Sequence, residues 1–343
     1  LMPRRRDLFL VSLTAALALA FAAAGCGGED SVDGAGATGG GSTKLTLVAY
    51  STPQEAYEEI VPAFQATVEG MGVSFDQSYG SSGEQSRAVE AGLPADVLAF
   101  SLEPDITRLV EAGLVAEDWR DDEYDGMVTE SVVVFAVRKG NPKNIRTWDD
   151  LVRDDIEVIT PNPFTSGGAR WNLMAAYGAK REEGKTHEQA VEFLGDLLAN
   201  TPVQDKSARE ALQTFVGGKG DVMLAYENEA IIAQQKDQEL DYVVPDATIL
   251  IENPVAVPTE SGAKAQAFVD FLRTPAAQRI FGEKGYRPVV EDVLAEFDFP
   301  QPPSLFTIED VGGWAEVSER FFDRENGIVA RIEAGLGVST ESS

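Results

Sequence analysis

Short turns rich in small and hydroxyl-bearing residues are the part of this sequence best suited to chemistry. Ser166, Gly167 and Gly168 follow an apolar segment at 156–160 that is typical of a buried strand, and a run with helical apolar spacing comes next. A helix N-terminus carries unsatisfied N–H groups and a partial positive charge, which together suit an anion. Because glycine lets a ligand approach the backbone closely and serine adds a hydroxyl donor, this turn is a candidate oxyanion site.

Three further turns share the order of strand, small or hydroxyl residue, and helix. They contain Ser51, Ser82 and the pair Ser207 and Ala208. At any one of them, simple capping of a helix by serine is the commoner explanation. In an open α/β lobe, however, such turns gather at the carboxyl ends of the strands, where ligands bind. Four of them facing one cleft would form a ring of neutral donors suited to a small, fully deprotonated oxyanion.

The elements around these turns alternate between strand and helix. Strands are predicted at 45–50, 73–79 and 96–100, with helices at 53–68 and 84–91 between them. The first helix is expected to have Thr52 as its N-cap and Pro53 at its first position. Helical crossovers of this length imply parallel strands, so the fold class is α/β. An apolar strand at 131–137 is a candidate crossing between two lobes.

The first residues have the pattern of an export signal. Three arginines precede an apolar run at 8–24 that ends in small residues before Cys26, the single cysteine. Residues 1–25 are therefore predicted to be a signal peptide, with lipidation of Cys26 as in a bacterial lipobox and a plain signal peptide as the alternative. Residues 26–43 are rich in glycine and serine and are predicted to be a flexible tether.

Charge excludes some partners. The chain has 57 acidic and 28 basic residues, a formal net charge of −29. Removal of residues 1–25 takes away three arginines and one aspartate, which leaves 25 bases against 56 acids and a net charge of −31. Such a chain does not bind nucleic acid through a basic surface, and it must hold an anion through local hydrogen bonds and dipoles. No cluster of histidine and cysteine is present for zinc, so neither a metal site nor a cofactor is predicted.

Long motifs carry a resemblance to a known family. They resemble those of the bacterial sulfate-binding proteins of ABC importers from residue 45 to about residue 332, at 75–85, 137–143, 158–163, 165–172, 220–230 and 285–288. The resemblance implies a two-lobed periplasmic-binding-protein fold of type II with a ligand cleft between the lobes. The first lobe would comprise 44–130 and 247–343, and the second lobe 131–246.

The same resemblance implies the function and the site. An extracytoplasmic lipoprotein, monomeric and held to the membrane by its lipid anchor only, would capture sulfate and deliver it to an ABC permease. From their own positions, Arg170 and Arg209 are candidates for direct ion pairs with the anion, but their place just inside helices equally favours a role behind it, bracing backbone carbonyls and carboxylates. The predicted ligand-binding residues are Ser51, Ser82, Ser166, Gly167, Gly168, Ala208 and Tyr226.

Two sets of alternatives remain open at this point. Tyr226 stands where the family usually has tryptophan, and a phenol can accept as well as donate a hydrogen bond, so thiosulfate or molybdate and tungstate are alternative ligands. A sensory lipoprotein without a transport role would share the fold. A hydrolase would need the single histidine, His187, beside Ser82 or Ser166; its polar surroundings favour a surface position, and no enzyme activity is predicted.

Overall fold

The computed structural model describes residues 43–338, so the predicted signal peptide, Cys26 and the tether up to residue 42 lie outside the described residues. The strands are β1 (Thr43–Tyr50), β2 (Val73–Gly80), β3 (Val97–Ala99), β4 (Met127–Arg138), β5 (Val158–Ile159), β6 (Val222–Tyr226), β7 (Leu240–Val243), β8 (Ala247–Ala256), β9 (Arg287–Pro288) and β10 (Ser304–Phe306). The helices are α1 (Gln54–Gln65), α2 (Ser82–Glu90), α3 (Glu103–Glu111), α4 (Gly167–Glu182), α5 (His187–Ala199), α6 (Ala208–Val216), α7 (Glu227–Gln235), α8 (Ala263–Leu272), α9 (Pro275–Glu283), α10 (Glu291–Leu294), α11 (Gly313–Phe322) and α12 (Ile328–Leu336), with short 3₁₀ turns at Trp148–Val152 and Glu309–Val311.

The first sheet is built around β1. This strand pairs in parallel with β2 on one side and with β3 on the other, with Leu47 opposite both Gln77 and Val97. The prediction of parallel strands joined by helices is therefore confirmed. Helix α1 places Tyr57 and Phe64 in the core beneath β1 because they lie seven residues apart on one helix face.

The predicted bounds of α1 were wrong at both ends. The helix begins at Gln54, and the capping position is Pro53, which makes no side-chain cap. Thr52 instead accepts a hydrogen bond from the hydroxyl of Tyr286 at 3.1 Å, so a tertiary contact replaces the local one. The helix ends at Gln65, and Val68 is 78% exposed rather than on the buried face.

Two long antiparallel strands, β4 and β8, continue this sheet into the second part of the fold. The amino-terminal half of β4 pairs with β8 and β9, and its carboxyl-terminal half pairs with β6 and β7. Strand β8 in turn pairs with β3 of the first sheet at Val255 and Ala256. The order β2-β1-β3-β8-β4-β6-β5 therefore runs through both parts of the fold, and β4 and β8 are the strands that join these parts.

The second part of the fold is built on α4. This helix is buried almost throughout, and Trp171 packs edge-on against Trp314 of α11, with ring centroids 4.7 Å apart. Tyr177 packs in the same way against Phe321, at 4.9 Å. Helices α11 and α12 thus share one hydrophobic core with α4 and α5.

Within residues 43–338, none of the helices combines the length and the apolar character needed to cross a membrane.

Candidate functional site

A small cavity lies where the N-termini of helices from both parts of the fold converge on the ends of β1, β3 and β6. It encloses about 220 Å³ of empty space. All seven residues predicted to bind the ligand line it, together with five that were not predicted to bind it. The lining residues are Tyr50, Ser51, Thr52, Gly80, Ser81, Ser82, Ser101, Ser166, Gly167, Gly168, Ala208 and Tyr226.

Three helices begin at this cavity. Helix α2 begins at Ser82, α4 at Gly167 and α6 at Ala208. The first N–H groups of a helix have no acceptor within the helix, so those of these residues and of Gly168 are left for a ligand. Each helix also directs the positive end of its dipole at the cavity, which favours a bound anion.

The hydroxyls of the two capping serines have different roles. Ser207 accepts a hydrogen bond from the backbone N–H of Glu210 at 3.2 Å, which is an ordinary N-cap. Ser166 occupies the same position on α4 but makes no side-chain cap. Because Ser166 is buried and lines the cavity, its hydroxyl is positioned to donate to a ligand.

The hydroxyl of Ser82 already makes two hydrogen bonds within the protein. It donates to a carboxylate oxygen of Asp105 at 2.5 Å and accepts from the backbone N–H of Ser101 at 3.0 Å. Ser82 therefore offers the cavity its backbone N–H and not its hydroxyl. Asp105 is 3% exposed, and burial raises the pKa of its carboxyl, against the opposing effect of Arg170 and the hydroxyl of Ser82.

Ser101 is the central residue that sequence reasoning missed. Its hydroxyl lies 2.9 Å from the hydroxyl of Tyr226, and its carbonyl accepts from the indole N–H of Trp171 at 2.8 Å and from the amide of Asn253 at 3.4 Å. A signal was available, because Ser101 follows β3 and precedes α3, the same order of strand, hydroxyl residue and helix as in the other turns.

Carbonyl groups beside the cavity already have donors of their own. The carbonyl of Ser51 accepts from Arg209 at 3.1 and 2.8 Å, and that of Thr165 accepts from the N–H of Gly83 at 3.2 Å. With the carbonyl of Ser101 also occupied, the groups left to a ligand are mainly donors. Such a cavity suits an anion that has acceptor oxygens on every side.

Two arginines lie behind the cavity and do not line it. Arg170 donates to the carbonyl of Pro163 at 2.9 Å and stacks over the ring of Phe322, with its guanidinium carbon 5.0 Å from the ring centroid. Burial lowers its pKa to about 10, while Asp105 acts in the opposite direction. Arg209 bridges Ser51 and Glu55.

His187 lies away from these serines. It is the first residue of α5, is half-buried and has its Nδ1 3.0 Å from the hydroxyl of Tyr177. It is not among the residues that line the cavity with Ser82 and Ser166. Since the chain has a single histidine, these serines have no imidazole to act as a base. Residues 43–338 also contain no group of three or more histidine, cysteine, aspartate or glutamate residues able to hold a metal ion.

Comparisons with known proteins agree with this geometry. The family model for bacterial extracellular solute-binding proteins matches residues 45–287, which places the chain outside the cytoplasm. A sulfate-binding protein of Synechococcus elongatus is 42% identical over 92% of this chain and 94% of its own length. A thiosulfate-binding protein of Pseudomonas aeruginosa is 34% identical over 81% of this chain and 89% of its own.

A solved structure extends the similarity to the fold. The sulfate-binding protein SubI of Mycobacterium tuberculosis superimposes with a TM-score of 0.80 at 46% identity, covering 82% of this chain and 100% of SubI. These matches confirm the two-lobed periplasmic-binding-protein fold. The chain belongs to the bacterial extracellular solute-binding proteins, within them to the family of sulfate-binding proteins, and its relatives are binding proteins rather than enzymes.

Proposed function

We propose that this protein captures sulfate in the cavity between its lobes and delivers it to an ABC importer of the cell membrane. The observation that carries the proposal is the donor character of the cavity. The N–H groups of Ser82, Gly167, Gly168 and Ala208 converge there, while the neighbouring carbonyls are occupied. Sulfate at neutral pH has only acceptors, so each of its oxygens can be matched by a donor.

Monohydrogen phosphate is the informative competitor. It carries a proton that needs an acceptor, and a cavity of donors leaves that proton unmatched, which costs binding free energy. The hydroxyls of Ser101 and Tyr226 are able to accept as well as donate, and they share one hydrogen bond. Selectivity among oxyanions is expected to depend on this pair. Thiosulfate is the second candidate ligand, since thiosulfate-binding relatives match most of the chain.

Calorimetric titration tests the proposal. Purified protein, stripped of ligand and kept in chloride buffer, is titrated with sulfate, thiosulfate, phosphate and molybdate. We expect one-to-one sulfate binding and no heat with phosphate. Binding of phosphate as tight as that of sulfate would contradict the donor character of the cavity, and no response to any of the four anions would contradict the receptor function.

The attachment to the membrane is a separate proposal. Residues 1–25 would be removed on export, and Cys26 would carry the lipid, with 26–43 as the tether; all but the last residue of this segment lie outside the described residues. Replacement of Cys26 by alanine should release the protein from the membrane fraction into the soluble fraction. The protein is expected to act as a monomer, because both lobes must face the permease, and light scattering would detect a dimer.

The lobe boundaries are also proposed. The crossing strands support a first lobe that comprises 44–130 and resumes at 247, with 131–246 in the second lobe. Because Trp314 and Phe321 pack with α4, we assign α11 and α12 to the second lobe, although the sequence analysis had placed the whole of 247–343 in the first. Protection from hydrogen exchange tests this assignment: α11 should exchange together with α4.

A further inference from the structure

We propose that Glu55, Arg209 and Lys236 form an ionic latch between the lobes that sets the affinity for the anion from outside the cavity. This inference rests on the proposed function, because it concerns how the same cavity is kept closed. Glu55 lies in the first turn of α1, which follows β1 of the first lobe. Arg209 lies in α6, which precedes β6 in the chain, and Lys236 lies at the end of α7, which follows β6; both belong to the second lobe.

The carboxylate of Glu55 is held by both cations. Arg209 donates to its two oxygens at 2.9 and 2.6 Å, a bidentate geometry that is among the stronger ion pairs. Lys236 donates to one of the same oxygens. The side chain of Glu55 is 15% exposed, against 31% for Arg209 and 53% for Lys236, so the carboxylate is the shielded centre of the latch.

The charge of Glu55 depends on these partners. Burial would raise the pKa of its carboxyl, but the hydrogen bonds from Arg209 and Lys236 outweigh burial and lower the pKa to about 2. The carboxylate is therefore ionised at every pH at which the protein is expected to work. In an open form it would lose two cationic partners at once and regain only water.

The latch is connected directly to the cavity. The guanidinium that binds Glu55 also donates twice to the carbonyl of Ser51, which lines the cavity. Arg209 itself follows Ala208, whose N–H lies at the cavity. One side chain thus ties an anion-binding turn of one lobe to an anion-binding turn of the other. Closure around the anion and formation of the latch become linked equilibria, and each favours the other.

A second ion pair on α1 provides a matched comparison. Glu59, one turn after Glu55, pairs with Lys284 at the end of α9, and both helices belong to the first lobe. Neutralising Glu59 removes the same charge from the same helix without touching the lobe interface. A general effect of charge or helix stability would appear in both variants, whereas an effect on closure would appear at Glu55 alone.

The experiment compares Glu55→Gln with Glu59→Gln. We expect Glu55→Gln to weaken sulfate binding by about 10- to 100-fold, mostly through faster dissociation, because loss of one partner of a shielded charge pair acts on the off-rate. Glu59→Gln should bind as the wild type does. The melting temperatures of the ligand-free proteins should agree, because the latch forms only on closure. Lys236→Gln, which leaves the bidentate pair intact, should show a smaller change in the same direction and serves if Glu55→Gln does not fold.

Three results would overturn the latch: unchanged dissociation in Glu55→Gln, an equal change in Glu59→Gln, or a loss of affinity matched by lower ligand-free stability. Thiosulfate, phosphate and molybdate are titrated in parallel, and any anion that binds should be weakened by the same factor, since the latch lies outside the cavity. If the wild type binds none of them, the proposed function fails. Because the latch forms only on closure around an anion, it fails together with that function, whereas unchanged dissociation in Glu55→Gln beside a wild type that binds sulfate contradicts the latch alone.

Discussion

Replacement of Gly167 by alanine tests whether direct contact between the lobes closes the cavity. A Cβ atom on Gly167 would lie 2.3 Å from the hydroxyl oxygen of Ser101 and 2.7 Å from Cγ of Leu102. Both distances are well below van der Waals contact, so the loop after β3 must withdraw. Ser101 would then leave its position 2.9 Å from the hydroxyl of Tyr226.

The magnitude follows from two contributions. Overpacking of a tight contact costs about 1–3 kcal/mol. Loss of the hydrogen bond between Ser101 and Tyr226 costs about 0.5–1.5 kcal/mol more. Because Gly167 begins α4 and Ser101 follows β3, the contact joins the two lobes, and we expect it to be made only when they close. The sum of about 1.5–4.5 kcal/mol should therefore appear as a sulfate dissociation constant raised roughly tenfold to two-thousandfold.

Calorimetry with sulfate and thermal unfolding of the ligand-free protein separate binding from folding. The control is Gly195→Ala, since Gly195 lies inside α5 and a Cβ there meets no atom within 4 Å. That variant should bind sulfate unchanged and gain up to about 1 kcal/mol in stability from helix propensity. Wild-type affinity in Gly167→Ala would refute the reasoning, because the cavity would then close without this contact.

Three further variants have distinct expected outcomes. Gly168→Asp should abolish sulfate binding without unfolding the protein, because a Cβ there makes contacts no closer than 3.5 Å while the carboxylate would repel the anion; heat on titration with sulfate would contradict the site. Tyr226→Phe should weaken sulfate binding by about 2- to 13-fold, because one hydrogen bond to Ser101 is lost. Unchanged affinity would show that this bond does not stabilise the closed form. Glu130 has a pKa raised to about 7, first by burial and then by the carboxylate of Glu252. Its native form thus binds a proton that the unfolded chain has released, so stability falls as the pH rises from about 4 to 7. Glu130→Gln should be more stable than the wild type by about 1–3 kcal/mol at pH 8 and equal to it at pH 4, as measured by urea denaturation, and a constant difference across pH would contradict the titration.

Most of the framework could be predicted because it depends on local pattern. The alternation of β1, α1, β2, α2 and β3 is carried by apolar spacing within each segment, and parallel pairing follows from the crossover helices. The ends of elements were less predictable. Thr52 has the type of an N-cap, yet its hydroxyl bonds Tyr286, 234 residues later, and such a contact leaves no trace in the local sequence.

Some residues of the candidate site could likewise be predicted from the local sequence, and others could not. Turns such as the one at Ser166 were found because strand, small residue and helix follow one another in the chain. Asp105 and Glu55 were not found, since a carboxylate is ordinary on a helix until the fold buries it. Asp105 meets Ser82 across 23 residues, and Glu55 meets Arg209 across 154. Both carboxylates act by positioning groups that touch the cavity, and that role exists only in three dimensions.

These two carboxylates also bear on how so acidic a chain can hold an anion. With a formal net charge of −29, the protein repels sulfate at a distance, and this repulsion falls as salt shortens a screening length of about 10 Å at 0.1 M. Near the cavity, the negative charges of the carboxylates are compensated by local partners. Glu55 is matched by Arg209 and Lys236, and the carboxylate of Asp105 is hydrogen-bonded to Ser82. Salt therefore acts on sulfate binding with opposite signs, because it relieves the long-range repulsion that slows association while it weakens the ion pairs that slow dissociation. Neutral N–H donors inside the closed cavity are shielded from both effects, so the chemistry of recognition is separated from the charge of the surface.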